Sequence, residues 1–143
     1  MCHKKFNTDI YIEKSKEAFE SSVICGKNNF FNSWANRAYY SFYILSSIFM
    51  ENLGIEPQGK HGDSEIYYKH SQIIKQLSFR MKADKKLKKL KVCRILNDLY
   101  NNRVIADYSS NRVIAEREFI RLGMKSEDAF KEYISIIGIE DCI

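Results

Sequence analysis

Hydrophobic side chains recur along this chain at intervals of three and four residues, which is the spacing of one face of an α-helix. A first run begins at Thr8 or Asp9, either of which can cap a helix, and ends near Gly26. A second run covers residues 32–52, and its apolar stripe consists of Trp34, Ala38, Phe42, Leu45 and Phe49. The two runs predict two long helices with buried inner faces.

The next elements follow a loop over residues 55–63, which contains one proline and two glycines. A third helix is predicted from Asp63 or Ser64 to about Arg80, with its apolar positions at Ile66, Tyr67, Ile73, Ile74 and Leu77. A fourth helix is predicted from its apolar face of Val92, Ile95, Leu96 and Leu99. The middle of the chain is therefore also expected to be helical.

The last part of the chain begins with a polar turn at residues 109–111. It predicts a helix over 112–122 that ends at Gly123, and a final helix over 127–137 that is capped by Ser126. The chain has only six glycines and one proline, and no repeat or change of composition marks a boundary. Residues 1–143 are therefore expected to form a single all-α domain, a helical bundle.

One charged side chain interrupts the apolar face of the fourth helix. Arg103 follows Leu99 on that face, and Asp107 lies one turn further on. A guanidinium keeps its charge, so it must pair with a carboxylate, meet a phosphate, or line a wet cleft or subunit interface. The plainest alternative is an ion pair with Asp107 that closes the helix.

The second helix carries a polar and aromatic face on the side away from its core stripe. This face consists of Asn36, Tyr40, Tyr43 and Ser47. An ordinary solvated helix would carry lysine and glutamate there, so the pattern predicts a second contact surface. Arg37 lies beside the core stripe and places another basic group near the apolar interior.

The charge of the chain is unevenly distributed. Lysine and arginine number 23 against 18 acidic residues, a formal net charge of +5, and residues 82–94 hold seven basic residues against Asp84. Such a stretch is typical of a solvated helix face, and it also suits a polyanionic partner. In the second case Lys88 and Lys91 are candidate phosphate ligands.

Several classes of chemistry lack their sequence signatures. The four cysteines and three histidines are scattered, and there is no glycine-rich phosphate loop, so neither a metal nor a cofactor is expected. The longest apolar region, residues 42–50, is too short to cross a membrane, and no secretion signal begins the chain. A cytoplasmic protein with reduced thiols is expected. His61 and His70 are isolated candidates for proton transfer, although a lone histidine is more often simply exposed.

Three segments, taken in order, carry a family resemblance. Residues 36–42 read Asn-Arg-Ala-Tyr-Tyr-Ser-Phe, Gly54 precedes a His-Gly pair at 61–62, and residues 99–108 read Leu-Tyr-Asn-Asn-Arg-Val-Ile-Ala-Asp-Tyr. They resemble the RAYY, His-Gly and LYxxRxxADY segments of the HEPN domains, which belong to prokaryotic toxin–antitoxin, CRISPR-associated and antiviral defence systems. The resemblance covers roughly residues 8–137.

The resemblance implies a bundle of four to five helices, commonly a homodimer, whose cleft between subunits gathers the motif arginines of both chains. Many HEPN domains are metal-independent endoribonucleases with an RX4-6H motif, in which the ribose 2′-hydroxyl attacks the neighbouring phosphate. The guanidinium stabilises the phosphorane and the imidazole moves protons. The implied partners are RNA, a cognate antitoxin, a nucleotidyltransferase or another protein of a defence complex.

This chain departs from that motif at the histidine. Tyr108 stands five residues after Arg103, and Val104 replaces the usual polar residue after the arginine. The resemblance therefore makes Arg103, Asp107 and Tyr108 the catalytic candidates, and a tyrosine is a poor base at neutral pH although it can donate a proton. His61 is a candidate for the missing imidazole, and Tyr108 is a candidate acceptor for a partner nucleotidyltransferase.

Three hypotheses follow for function. The chain is a binding module that holds RNA, a nucleotide or a partner protein without cleaving it, an endoribonuclease, or a helical interaction protein whose arginines only join helices. The candidates for RNA or phosphate binding are Arg37, Tyr40, His61, Lys88 and Lys91. Replacing Arg103 separates the first two hypotheses from the third, because a purely structural arginine would unfold the protein when removed.

Overall fold

The structure, a computed structural model, describes residues 7–62, 65–83 and 91–139. This part of the chain consists of α1 (Thr8–Lys27), α2 (Phe31–Asn52), β1 (Gly59–His61), β2 (Glu65–Tyr67), α3 (His70–Ala83), α4 (Val92–Tyr108) and α5 (Glu116–Ile139). The predominantly helical fold is confirmed. The two antiparallel strands are an addition that the all-α prediction lacked.

The helix α2 lies at the centre of the fold and packs against α1, α4 and α5. Its predicted apolar stripe is buried along the whole length of the helix. The ring of Phe42 is fully buried, with its centroid 6.4 Å from that of Phe19 in α1 and 5.5 Å from that of Phe130 in α5. The hydroxyls of Ser46 and Tyr133 hydrogen-bond each other at 2.8 Å within this core, so neither buried group lacks a partner.

The first helix begins at Thr8, as predicted, but its N-cap lies one residue before the predicted caps. Asn7 is the N-cap, and its Oδ1 accepts a hydrogen bond from the backbone N–H of Ile10 at 3.2 Å. Thr8 therefore belongs to the helix. At the other end Asn29 adopts a left-handed conformation with φ of 64°, which turns the chain into α2.

Two helical glycines face the same aromatic ring and allow a matched prediction. A Cβ added at Gly26 would collide with Phe119, whereas one added at Gly123 would lie 3.7 Å away at ordinary contact distance. Phe119 cannot easily yield, because it packs against Trp34 at 5.4 Å between centroids. We expect Gly26→Ala to lower the free energy of unfolding by about 1–3 kcal/mol. We expect Gly123→Ala to raise it by up to about 1 kcal/mol in urea denaturation, because alanine favours the helix.

Equal changes in the free energy of unfolding for Gly26→Ala and Gly123→Ala would show that the Phe119 ring moves aside without an energetic cost.

The predicted start of the third helix is wrong. Ile66 and Tyr67 belong to β2, which pairs with β1 in the register Gly59 to Tyr67 and Lys60 to Ile66, and α3 begins only at His70. The ring of Tyr67 lies directly over Gly59, where a Cβ would come within 2.5 Å of it. This close approach, which only glycine permits, favours the strand over another helical turn.

The predicted break near Gly123 is also wrong, because α5 is one continuous helix. Its first turn starts at Glu116 and not at Arg112, and the backbone N–H of Ile114 in the preceding segment donates to Asn32 Oδ1 at 3.0 Å. Ser126 does not cap a helix, since its hydroxyl is buried and donates to the carbonyl of Gly123 at 2.9 Å. The apolar face continues through this point, and its burial outweighs the cost of about 1 kcal/mol of a helical glycine.

The basic segment is described only at its ends. Lys88 lies outside the described residues, and Lys91 precedes α4 in a left-handed conformation with φ of 46°. The helix that carries Arg103 therefore begins at Val92. Among the described helices, none combines the length and the apolar character that crossing a membrane would need.

Candidate functional site

An open cleft of about 640 Å³ lies where α2, α3, α4 and the end of β2 meet. Its walls are unusually aromatic, with six tyrosines: Tyr39, Tyr40, Tyr43, Tyr67, Tyr68 and Tyr100. The polar groups in the wall include Asn36, Lys69, His70 and Arg103. Three residues of the polar aromatic face predicted on α2, Asn36, Tyr40 and Tyr43, line this cleft, whereas the fourth, Ser47, is buried.

Arg103 is held at the mouth of the cleft by a carboxylate from its own helix. Its Nε lies 3.0 Å from Asp107 Oδ2, which also accepts a hydrogen bond from Asn36 Nδ2 at 2.8 Å. Both charged side chains are 29% exposed. The ion pair that sequence spacing offered as an alternative is therefore present, and the second hydrogen bond ties the end of α4 to α2.

The guanidinium of Arg103 is also placed against two aromatic rings. Its central carbon lies 5.8 Å from the ring centre of Tyr39 and 5.2 Å from that of Tyr108, and its Nη2 donates to the Tyr108 hydroxyl at 3.4 Å. Within the described ranges, no protein group hydrogen-bonds to Nη1. The guanidinium is thus oriented by its neighbours and still has donors available for an anion.

His70 is enclosed by aromatic and amide groups in the same cleft. Its ring stacks on Tyr100, with centroids 3.7 Å apart and an interplanar angle of 9°. The Tyr39 hydroxyl lies 3.3 Å from Nδ1, and Asn97 Oδ1 lies 3.3 Å from Nε2. A neutral ring with its proton on Nε2 satisfies both contacts, since Asn97 then accepts and Tyr39 donates.

Loss of contact with water shifts the pKa values of half-buried His70 and buried Tyr39. It lowers the pKa of His70 below its usual 6.5, against a smaller opposite effect of the Asn97 hydrogen bond. It raises the pKa of Tyr39 far above that of an ordinary phenol, with smaller contributions from its neighbours. At neutral pH the cleft therefore holds a neutral imidazole and a neutral phenol beside one guanidinium.

The low pKa of His70 predicts that acid destabilises the fold. Between the folded and unfolded pKa values the unfolded chain binds more protons, so stability that is present above about pH 6.5 is lost as the pH falls. We expect the free energy of unfolding of wild type to fall more between pH 7 and pH 5 than that of His70→Gln, which keeps polar groups but does not titrate there. Urea denaturation at both pH values measures this.

His61→Gln is the control for the loss of one histidine, and equal pH dependence of wild type and His70→Gln would contradict the prediction.

The structure brings some of the candidate residues together and leaves others apart. Arg103, Asp107 and Tyr108 form one cluster, and Tyr40 lines the cleft with 49% of its surface exposed. Arg37 does not line it. It is exposed on α2 rather than set beside the apolar interior.

The remaining binding candidates lie elsewhere. Lys91 lines a different groove, between α4 and α5, together with Arg94 and Arg121. Lys88 is outside the described residues. His61 is exposed on β1, beside the cleft, where it stacks on Tyr67.

His70 is the site residue that sequence reasoning undervalued. It shares a helical face with the buried residues Ile73 and Leu77, at spacings of three and seven. A charged or ionisable side chain on an apolar helix face is the signal that made Arg103 a candidate. His70 carries the same signal.

Comparisons of this chain with protein-family models, with curated proteins and with solved structures gave no match.

Proposed function

We propose that this chain is a HEPN-like domain of a prokaryotic defence or toxin–antitoxin system and that it binds single-stranded RNA in the tyrosine-lined cleft. The observation that carries the proposal is the position of Arg103, an oriented guanidinium at the edge of an aromatic cleft. RNA bases stack on aromatic side chains and RNA phosphates pair with arginine, so one ligand uses both features.

The chemistry of the cleft favours a single strand over a duplex. Bases of a duplex are stacked on each other and offer no free faces to Tyr40 or Tyr43, whereas those of a single strand do. The cleft lining contains two cationic side chains, Arg103 and Lys69. Two cations suit a short stretch of RNA backbone better than a long duplex with many phosphate contacts. The net charge of +5 attracts the strand from a distance.

The proposal includes a homodimer in which the clefts of the two chains face each other, as the HEPN resemblance implies. Tyr108 supports it, because its ring stands beside Arg103 and is 70% exposed. A second chain would cover that ring. A cytoplasmic location and a cognate antitoxin or nucleotidyltransferase belong to the same proposal.

His70 favours a second candidate function, metal-independent cleavage of the bound RNA. It places a neutral imidazole in the same cleft as Arg103, whereas the motif position of the histidine holds Tyr108. In this reaction a base removes the 2′-hydroxyl proton, O2′ bonds to phosphorus, and the bond to O5′ breaks as that oxygen takes a proton. The products are a 2′,3′-cyclic phosphate and a 5′-hydroxyl end.

The test incubates the protein with labelled single-stranded and duplex RNA in EDTA, following binding by fluorescence anisotropy and cleavage on a gel. Saturable binding that prefers the single strand supports the proposal. Products with cyclic phosphate ends that disappear in His70→Gln support the second candidate. A folded wild type that binds neither RNA would overturn both.

A further inference from the structure

The short hairpin of β1 and β2 stands beside the cleft and carries a stacked pair of rings. The imidazole of His61 lies against the ring of Tyr67, with centroids 4.6 Å apart and an interplanar angle of 21°. In the register of the hairpin, Gly59 lies opposite Tyr67, so His61 is diagonal to Tyr67 on the same face. Tyr67 also lines the cleft. The pair therefore extends the aromatic wall of the cleft onto the hairpin.

The base of this hairpin is held in place by two partly buried hydrogen bonds. Two three-residue strands are marginal on their own in water. Tyr68 follows β2, is 3% exposed, and donates its hydroxyl proton to the carbonyl of Ile55 at 2.6 Å. Tyr43 of α2 donates to the carbonyl of Tyr68 at 2.9 Å. The stacked rings are thus fixed relative to α2, which also carries the contact to Asp107.

The spacing of two contacts along α2 gives a length scale for the aromatic wall. Asn36 bonds Asp107 at the Arg103 end, and Tyr43 bonds Tyr68 at the hairpin end. Seven residues of α-helix separate them, or about 10 Å along the axis. Bases stacked on one another rise about 3.4 Å per nucleotide, so this distance corresponds to at most about three nucleotide steps, and to fewer when the strand is extended over the protein rings. A mononucleotide at Arg103 would not reach the hairpin.

We propose that His61, backed by Tyr67, is a stacking platform for a base up to about three nucleotides from the phosphate held by Arg103. The proposal rests on the RNA-binding function proposed above and adds a second subsite to it. One face of the imidazole lies on Tyr67, and the residue is exposed, so its other face is available to a base. The hairpin then selects RNA segments of about four nucleotides over shorter ones.

The test measures competition by unlabelled RNA of one to six nucleotides against a labelled hexanucleotide. For wild type, affinity is expected to rise with length to about four nucleotides and then level off. His61→Ala is expected to weaken binding of the hexanucleotide at least fivefold, the lower range of a lost base stack, and to leave the dinucleotide unchanged. His61→Phe keeps a ring without a charge and is expected to retain the wild-type affinity.

Ile66→Ala is the matched control, since Ile66 is 57% exposed on the opposite face of the same hairpin. Unchanged hexanucleotide binding by His61→Ala would overturn the platform. If Arg103→Ala still weakens binding in that case, the proposed function stands without the second subsite. If wild type binds no RNA, both fail.

Discussion

Arg103→Ala is expected to lower the affinity for single-stranded RNA at least about tenfold, because it removes charge-assisted hydrogen bonds to a phosphate. The slope of log affinity against log salt should decrease by about 0.7, the value for one phosphate contact on a single strand. The fold should survive. The ion pair with Asp107 is partly exposed and is worth about 1 kcal/mol or less, and Asn36 continues to bond the carboxylate.

The matched control is Arg37→Ala, which removes the same charge from an exposed position outside the cleft. Anisotropy titrations at several salt concentrations compare the two variants, with circular dichroism to verify folding. Equal losses of RNA affinity in both variants would mean that binding depends only on the net charge of the protein. An unfolded Arg103→Ala would favour the purely structural role for this arginine.

Phe42→Ala is expected to produce the largest loss of stability, about 3–5 kcal/mol in the free energy of unfolding. Phe42 is fully buried at the centre of α2, and its ring contacts aromatic rings of both α1 and α5. The cavity cannot close easily, since Phe19 and Phe130 are stacked on each other with centroids 4.4 Å apart. Urea denaturation followed by circular dichroism measures the change.

Phe79→Ala is the control, because Phe79 is 66% exposed on α3 and its removal should change stability by no more than about 0.5 kcal/mol. A loss below about 1 kcal/mol for Phe42→Ala would contradict the central position of its ring in the core.

The helices of the core could be predicted from the sequence because their burial follows a regular period. Trp34, Phe42 and Phe49 fall on one stripe of α2, and all three are buried. The hairpin could not be predicted in this way. Ile66 and Tyr67 fit the apolar positions of a helix as well as those of a strand, and the choice depends on the contact between Tyr67 and Gly59, which is a tertiary contact.

The same limit applies to the end of the chain. Gly123 and Ser126 have the local preferences of a helix end and a helix start, yet both lie inside α5. Helix signals of this kind are worth about 1 kcal/mol each, and burial of a continuous apolar face is worth more. Local signals therefore predict a helix boundary between Gly123 and Ser126, and the structure has none there because the apolar face packs continuously.

For the cleft, the sequence revealed which polar groups interrupt an apolar helix face. It did not reveal which residues of other helices contact them. Arg103 was found because a charge on an apolar face needs a partner, and Asp107 was found by its spacing of four residues. The hydrogen bond from Asn36 to Asp107 joins residues 71 positions apart. No periodicity within one helix contains that information.

The contact between Arg103 and Asp107 makes the carboxylate an internal competitor for any anion that approaches the Nε edge of the guanidinium, and it leaves Nη1 as the donor open to a ligand. A carboxylate four residues away is always present, at an effective concentration that no dilute monoanion in solution matches. Chloride or acetate should therefore rarely displace it, whereas a phosphodiester that gains stacking at the same time can. Because Asn36 keeps its hydrogen bond to Asp107, the displaced carboxylate still has a donor. For the proposed RNA site, the ion pair is therefore expected to disfavour small monoanions at the Nε edge of Arg103.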